Sequence, residues 1–309
     1  MISGRPTLAP AVVLAVTLVA VSACTSSDRA SAPVESSGPV ATPPDGDGDG
    51  DGDDPGTACV VAAAGDVAGE EDLDDGAERT AELIAAAEPR KVLALGDLAY
   101  PDGTAAEYAD LYDPTWGEFR DITAPTPGNH EYRSERKGYD DYFDVEPNYA
   151  FDVCGWHLVS VDHYAGVSEA AAFIEEEGEA AGDAPLLVYW HAPRFSSGHH
   201  GTDPELQPLW EAAVEAGAEV VLNAHDHHYE RFEPLDEDGE PRAGGTVQFV
   251  SGNGGHNLRK LDEDRESHSA VALAGTPGVL FLTLRADGYD WSYRDVEGRT
   301  GDAGTRERR

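Results

Sequence analysis

Between residues 59 and 230 the chain repeatedly does one thing: an apolar run no longer than a single strand breaks off directly into a side chain that carries chemistry. Cys59 to Ala64 passes through Gly65 into Asp66, and Lys91 to Leu95 passes through Gly96 into Asp97. Pro185 to Trp190 meets His191, and Ala218 to Leu222, followed by Asn223 and Ala224, meets His225-Asp226-His227-His228. A fifth junction carries Gly128-Asn129-His130-Glu131. The runs alternate with stretches of helical spacing at Ala77 to Glu88, Ala105 to Leu111, Glu169 to Glu177 and Glu205 to Ala216. This rhythm predicts an α/β fold over the first two thirds, with polar residues gathered where strands end. Further strands are expected at Trp156 to Val161, Val247 to Val250, Val279 to Leu284 and Tyr289 to Tyr293. Past His228 the rhythm becomes strand, loop, strand, and a second sheet is expected there.

A Gly-Asp pair suits any turn, so one copy says little. Two copies 31 residues apart, each after an apolar run, stand with an amide and several imidazoles at the other junctions. That is the donor set of a site for two cations, which needs a bridging carboxylate among neutral and anionic ligands.

Gly65-Asp66, Gly96-Asp97-Leu98-Ala99-Tyr100, Gly128-Asn129-His130-Glu131, His191, and His225-Asp226-His227 followed by Tyr229-Glu230-Arg231 occur in this order across residues 59 to 232. The set resembles the calcineurin-like metallophosphoesterases and, within them, the purple acid phosphatase branch; Gly252-Asn253-Gly254-Gly255 is similar to a further loop of that family. The resemblance implies an α/β sandwich of two mixed β-sheets flanked by helices, with a dinuclear metal site at the strand ends. It implies that Asp66, Tyr100 and His227 bind the first metal, that Asn129, His191 and His225 bind the second, and that Asp97 bridges them. A tyrosine three residues after the bridging aspartate marks the purple acid branch; relatives with a histidine two residues after the first aspartate differ here, where Ala68 stands. The implied metals are iron(III) at the first site and zinc, manganese or iron(II) at the second, with a metal-bound hydroxide as nucleophile. His130 is similar to the family histidine that assists phosphate binding or leaving-group protonation, and His199 and His200 are similar to histidines lining the substrate pocket.

Arg194 and the cluster Arg133, Arg136 and Lys137 have two possible fates, contact with a phosphate or pairing with nearby carboxylates. The chain carries a formal net charge of -39. Such a field repels nucleic acid and anionic lipid, so no specific nucleic-acid partner is expected.

Arg5, the apolar run Ala9 to Ala23 and the polar residues beyond read as an export signal. Val21-Ser22-Ala23-Cys24 resembles the lipobox of bacterial lipoproteins, which implies a lipid on Cys24 and a chain tethered to the outer face of a cell membrane; cleavage without lipid is the alternative. The expected organisation is a signal peptide over 1–23, a lipidated cysteine and disordered acidic Gly/Pro/Ser linker over 24–57, a catalytic domain over 58–296, and a frayed charged tail over 297–309. In an oxidising compartment Cys59 and Cys154 could pair, or could be two separately buried thiols. The activity expected is hydrolysis of small phosphate esters, with monoesters favoured. A phosphodiesterase or nucleotidase on the same fold, or a tethered binding protein without turnover, are the competing readings, and the oligomeric state is left open.

Overall fold

Val61 to Ala64 of β1 (Cys59–Ala64) have no exposed surface, which is why this strand reads as a continuous apolar run rather than an alternating one. In the computed structural model, residues 57–70, 75–261 and 264–308 are described; the expected signal, Cys24 and nearly all of the acidic linker lie outside them. β1 pairs in parallel with β2 (Lys91–Ala94), and β2 in parallel with β3 (Thr123–Pro125). The chain then builds a second sheet from β4 (Tyr149–Val153), β5 (Trp156–Ser160), β6 (Leu186–Tyr189), β7 (Val220–Asn223), β8 (Tyr229–Phe232), β9 (Val247–Ser251) and β10 (Ser269–Leu273). Its order is β10-β8-β9-β7-β6-β5-β4, parallel through β5, β6, β7 and β9 and antiparallel at both edges. Finally β11 (Gly278–Arg285), β12 (Gly288–Asp295) and β13 (Thr300–Glu307) return to the first sheet, where β11 lies antiparallel to β1.

Strand alternation divides the apolar side chains between three layers. Val61, Ala63, Leu93 and Leu95 face Leu158, Leu187, Leu222 and Phe249 between the sheets. Ala62, Ala64, Val92 and Ala94 turn outward to α1 (Gly76–Ala87), whose Ala77, Thr80, Ala81 and Ile84 form its buried stripe. Close by lie the short helices α2 (Ala105–Glu107), α3 (Asn129–Tyr132) and α4 (Lys137–Phe143). On the far side Leu186, Val188 and Trp190 pack against Ala170 and Ile174 of α5 (Val167–Ala181) and Leu209 and Trp210 of α6 (Gln207–Glu215). The architecture is the expected sandwich of two mixed sheets flanked by helices.

Two expectations are corrected. The strands after His228 do not make a sheet of their own: β8, β9 and β10 complete the second sheet, and β11 to β13 complete the first. The charged stretch expected to fray is β13, paired with β12 from Thr300 to Glu307. Its composition hides the reason. Asp302 accepts from Tyr229 Oη (2.8 Å), Arg231 Nε (2.7 Å) and Trp291 Nε1 (2.9 Å), so a carboxylate rather than an apolar residue anchors the strand. Gly304 leaves no Cβ where the Trp291 ring lies. Cys59 and Cys154 form a disulfide, with Cα atoms 6.1 Å apart, joining the start of β1 to the turn between β4 and β5. No helix among the described residues is long and apolar enough to cross a membrane.

Candidate metal centre

β1 and β2 end in the same device. Asp66 and Asp97 follow their glycines with left-handed backbones, φ 58° and 52°, and His225 after β7 is a third at 69°. Such residues cost about 1–3 kcal/mol each and persist only where their surroundings hold them. Here the Asp66 amide donates to Gly96 O (3.0 Å) and the Val67 amide to Asp97 O (3.0 Å), so the two turns brace each other. The Asp97 amide donates to Glu131 Oε2 (2.9 Å), and the His225 amide to Asp66 Oδ2 (2.8 Å). A side chain at Gly96, itself at φ +88°, would run into the His191 ring, and one at Gly128 into the Asp97 carboxylate.

These turns deliver side chains to one buried point. Tyr100 Oη lies 2.6 Å from Asp66 Oδ1, 3.2 Å from Asp97 Oδ2 and 3.3 Å from His227 Nε2. His227 Nε2 is 3.1 Å from Asp66 Oδ1, and His191 Nε2 is 3.2 Å from Asp97 Oδ2. Asp97, His191 and His225 each offer a ligand atom within 4.8 Å of the others. Asn129 opens α3, its Oδ1 accepting from Tyr164 Oη (3.4 Å), and the next amide, of His130, donates to Asp97 Oδ1 (2.7 Å).

The outer nitrogens fix which atoms face this point. His191 Nδ1 donates to Leu95 O and His227 Nδ1 to Asn257 O, both at 2.7 Å, so each Nε2 is left to the interior. His191 Nε2 is buried and has no hydrogen-bond partner of acceptable geometry despite its closeness to Asp97. A lone pair aimed at a carboxylate is repulsive unless a proton or a cation lies between. Burial alone would raise both aspartates, but His191 beside Asp97 and His227 beside Asp66 hold them below the usual carboxylate range. Burial would likewise lower His191, yet Asp97 overrides it and raises the imidazole to about 9. Burial, then the His191 charge, brings His225 down to about 4. Tyr100 is pushed upward by burial and by the Asp66 and Asp97 charges. Two charged carboxylates, a phenol and inward-facing imidazoles in one buried space fit a cation.

The remaining candidates separate. His130 sits half-buried with Nδ1 at Pro101 O, Nε2 3.8 Å from Asp97 Oδ2 and its ring 4.2 Å from Tyr100. The His200 ring lies 4.2 Å from His225 and the His199 ring 5.2 Å from His200, and both histidines are exposed. Arg194 stacks on Phe195 and donates to Gln207 Oε1 (2.7 Å). Arg136 pairs with Asp162 and Asp140, Lys137 with Asp141, and Arg133 with Asp102. These cations are engaged by the protein itself.

Sequence reasoning assigned no role to four residues around the site. Glu131 is buried and accepts from the amides of Asp97, Leu98 and Gly128 and from Tyr108 Oη, stitching both loops together; its signal is the glutamate three residues after the Gly128 cap. Asp226 accepts from Ser196 Oγ and from the amides of His200 (2.8 Å) and Gly201 (3.2 Å). His256 stacks on Tyr100 at 3.8 Å between ring centroids. Arg259 Nη1 donates to His200 Nε2 at 3.0 Å. The last three depend on tertiary neighbours and have no local signature.

Purple acid phosphatase 21 of Arabidopsis thaliana is 27% identical over 226 residues, which are 62% of this chain and 49% of that protein; the chain thus spans about half of that relative. The purple acid phosphatase PPD1 from yellow lupin (Lupinus luteus) seeds superposes with a TM-score of 0.69 at 18% identity, covering 82% of this chain and 54% of that one. GAP50, the anchor in the inner membrane complex of Plasmodium, does so at 0.65 and 14%, covering 82% and 89%. At these identities the two structures speak for the fold. Residues 60–229, more than half of the chain, match the calcineurin-like phosphoesterases, and the chain belongs to that family.

Proposed function

We propose that the protein hydrolyses small phosphate esters, monoesters in preference, at a centre for two metal ions. Asp66, Tyr100 and His227 would hold the first ion, Asn129, His191 and His225 the second, and Asp97 would bridge them. The observation that carries this reading is the pair of inward-facing Nε2 atoms, each fixed by a carbonyl on its outer nitrogen and each aimed at a buried aspartate. When bound, the ions would supply Lewis-acid polarisation of a phosphoryl oxygen and a nucleophile at neutral pH.

The chain's own residues do the rest. His130 stands half-buried beside Asp97 and Tyr100; with Nδ1 at Pro101 O, its Nε2 gives a proton to a departing oxygen only as the imidazolium, a form that burial disfavours and the Asp97 charge favours. The His200 ring packs beside His225. We assign iron(III) to the first site, because a phenolate with two carboxylates favours a hard trivalent ion, and zinc, manganese or iron(II) to the second, whose ligands other than Asp97 are neutral. We also propose that a lipid on Cys24 tethers the chain through the acidic linker; intact mass of the membrane fraction, showing loss of residues 1–23 and acyl additions, tests it.

The decisive experiment measures metal content and hydrolysis of simple mono- and diesters on one preparation. About two ions per chain with monoester turnover are expected. Bound metal without turnover on any ester would favour a binding role instead, a use to which this fold can be put, as GAP50, an anchor, illustrates. Diester turnover exceeding monoester turnover would replace the monoester preference with a phosphodiesterase.

A further inference from the structure

We propose that Arg259, on the loop after Gly252-Asn253-Gly254-Gly255, is the cation that receives the substrate's phosphate, and that it makes the centre prefer a phosphate with two negative charges, a monoester, to one with a single charge, a diester. This rests on the phosphate-ester reading above.

A doubly charged substrate approaching a chain of net charge -39 meets repulsion at long range, which a basic side chain beside the site offsets in addition to any metal ions held at the centre. Of the basic residues closest in sequence to the site motifs, Arg136 pairs with Asp162 and Asp140, Lys137 with Asp141 and Arg133 with Asp102, while Arg194 donates through Nε to Gln207 and lies over the Phe195 ring with its Nη1 buried and unpartnered. Among the described residues no carboxylate lies within ion-pair distance of Arg259. Its guanidinium has five donors, and the bond to His200 Nε2 uses one of them.

The Arg259 amide donates to His227 O (3.4 Å), which fixes its backbone beside one group of candidate ligands. Its side chain reaches His200, whose ring lies against His225 in the other group. The guanidinium therefore lies one side chain away from His225, which offers a ligand atom within 4.8 Å of those of Asp97 and His191.

The loop carrying His200 is tied down by two buried carboxylates. Asp226 accepts the His200 and Gly201 amides and Ser196 Oγ, and Glu230 accepts the Ser197 amide (2.8 Å) and hydroxyl (2.5 Å). Asp226 thus turns its charge into the loop rather than toward the substrate, and the His200 backbone, so fixed, presents Nε2 to Arg259 Nη1. A guanidinium that meets phosphoryl oxygens gains more from a terminal phosphate, which exposes three of them and two charges, than from a diester, which exposes two and one.

The test uses metal-replete protein. Arg259→Met, Arg259→Lys and the remote control Arg242→Met, an exposed residue paired with Glu237, are compared on p-nitrophenyl phosphate and bis-p-nitrophenyl phosphate, and inorganic phosphate is titrated by calorimetry. Arg259→Met is expected to lower monoester kcat/KM by about 10- to 100-fold, the range of one charge-assisted hydrogen bond. The loss falls mainly in KM and is several-fold smaller for the diester. Phosphate affinity falls in parallel, Arg259→Lys recovers part of both, and Arg242→Met changes neither. Equal losses on the two esters, or unchanged phosphate affinity in Arg259→Met, overturn the assignment of Arg259 while leaving hydrolysis intact. A wild type that hydrolyses neither ester overturns the phosphate-ester reading itself, and the selection with it.

Discussion

An imidazole whose outer nitrogen is bound to a backbone carbonyl has a single lone pair left, and where that lone pair points decides what the residue can do. His191 and His227 both point inward, toward Asp97 and Asp66. Asp97→Ala removes the one carboxylate shared by Tyr100, His191 and the His130 amide; it is expected to abolish nearly all turnover and to lower metal content at both sites, as elemental analysis beside circular dichroism would show. Glu131→Gln acts at one remove, because the glutamate touches amides rather than the centre. A loss of about 10- to 100-fold in metal affinity is expected, of the size found for groups that orient ligands, and normal affinity would deny Glu131 that role. Tyr100→Phe keeps the ring between His130 and His256 but removes the phenol oxygen; the visible band of an iron-containing protein should disappear, and a band that persists would refute a tyrosinate ligand. At this scale the sequence was most readable where a residue's identity and its junction coincide, as at Asp66, Asp97 and His191. Glu131, Asp226 and Arg259 were opaque because each acts through partners that only folding brings near.

Elements were readable in proportion to their burial. β1, β6 and β7 announce themselves because four of the six β1 residues and all of β6 and β7 are buried. β13 does not, since no β13 residue is buried. What holds it is Asp302, bound by Tyr229, Arg231 and Trp291 from strands of both sheets. Burial would raise its carboxyl, but the hydrogen bonds from Arg231 and Tyr229 and the Arg231 charge lower it. Asp302→Asn should destabilise the protein by about 1–3 kcal/mol at neutral pH. Because the folded carboxyl titrates below its unfolded value, that stabilisation is present above the unfolded pKa and is lost as pH falls through the folded one. Urea melts of both proteins should therefore converge in acid; a constant difference across pH would mean that ionisation of Asp302 contributes nothing.

For the whole molecule, strand rhythm gave the α/β class, but strand order was hidden, since β11 pairs with β1 across more than two hundred residues. No local pattern reports such a pairing. The two sheets are joined by the core between them and by one covalent bond, Cys59–Cys154, over a sequence separation of 95. Replacing both cysteines by alanine should lower stability by about 2–5 kcal/mol, read as a shift in guanidinium midpoint; an unshifted midpoint would mean that the core alone sets sheet registration. The location of that bond matters as much as its strength. Cys59 is the first residue of β1, and Asp66 comes two residues after its last. A pull on the chain ahead of residue 57 meets the disulfide before it meets the turn, and the branch point divides the tension with the β4–β5 hairpin of the opposite sheet. The share that continues along β1 is resisted in shear by ladders on both sides, to β2 and β11, and not by bonds opening one at a time. Where a load from the amino-terminal side runs along β1, it meets the disulfide and these two ladders before it reaches Asp66.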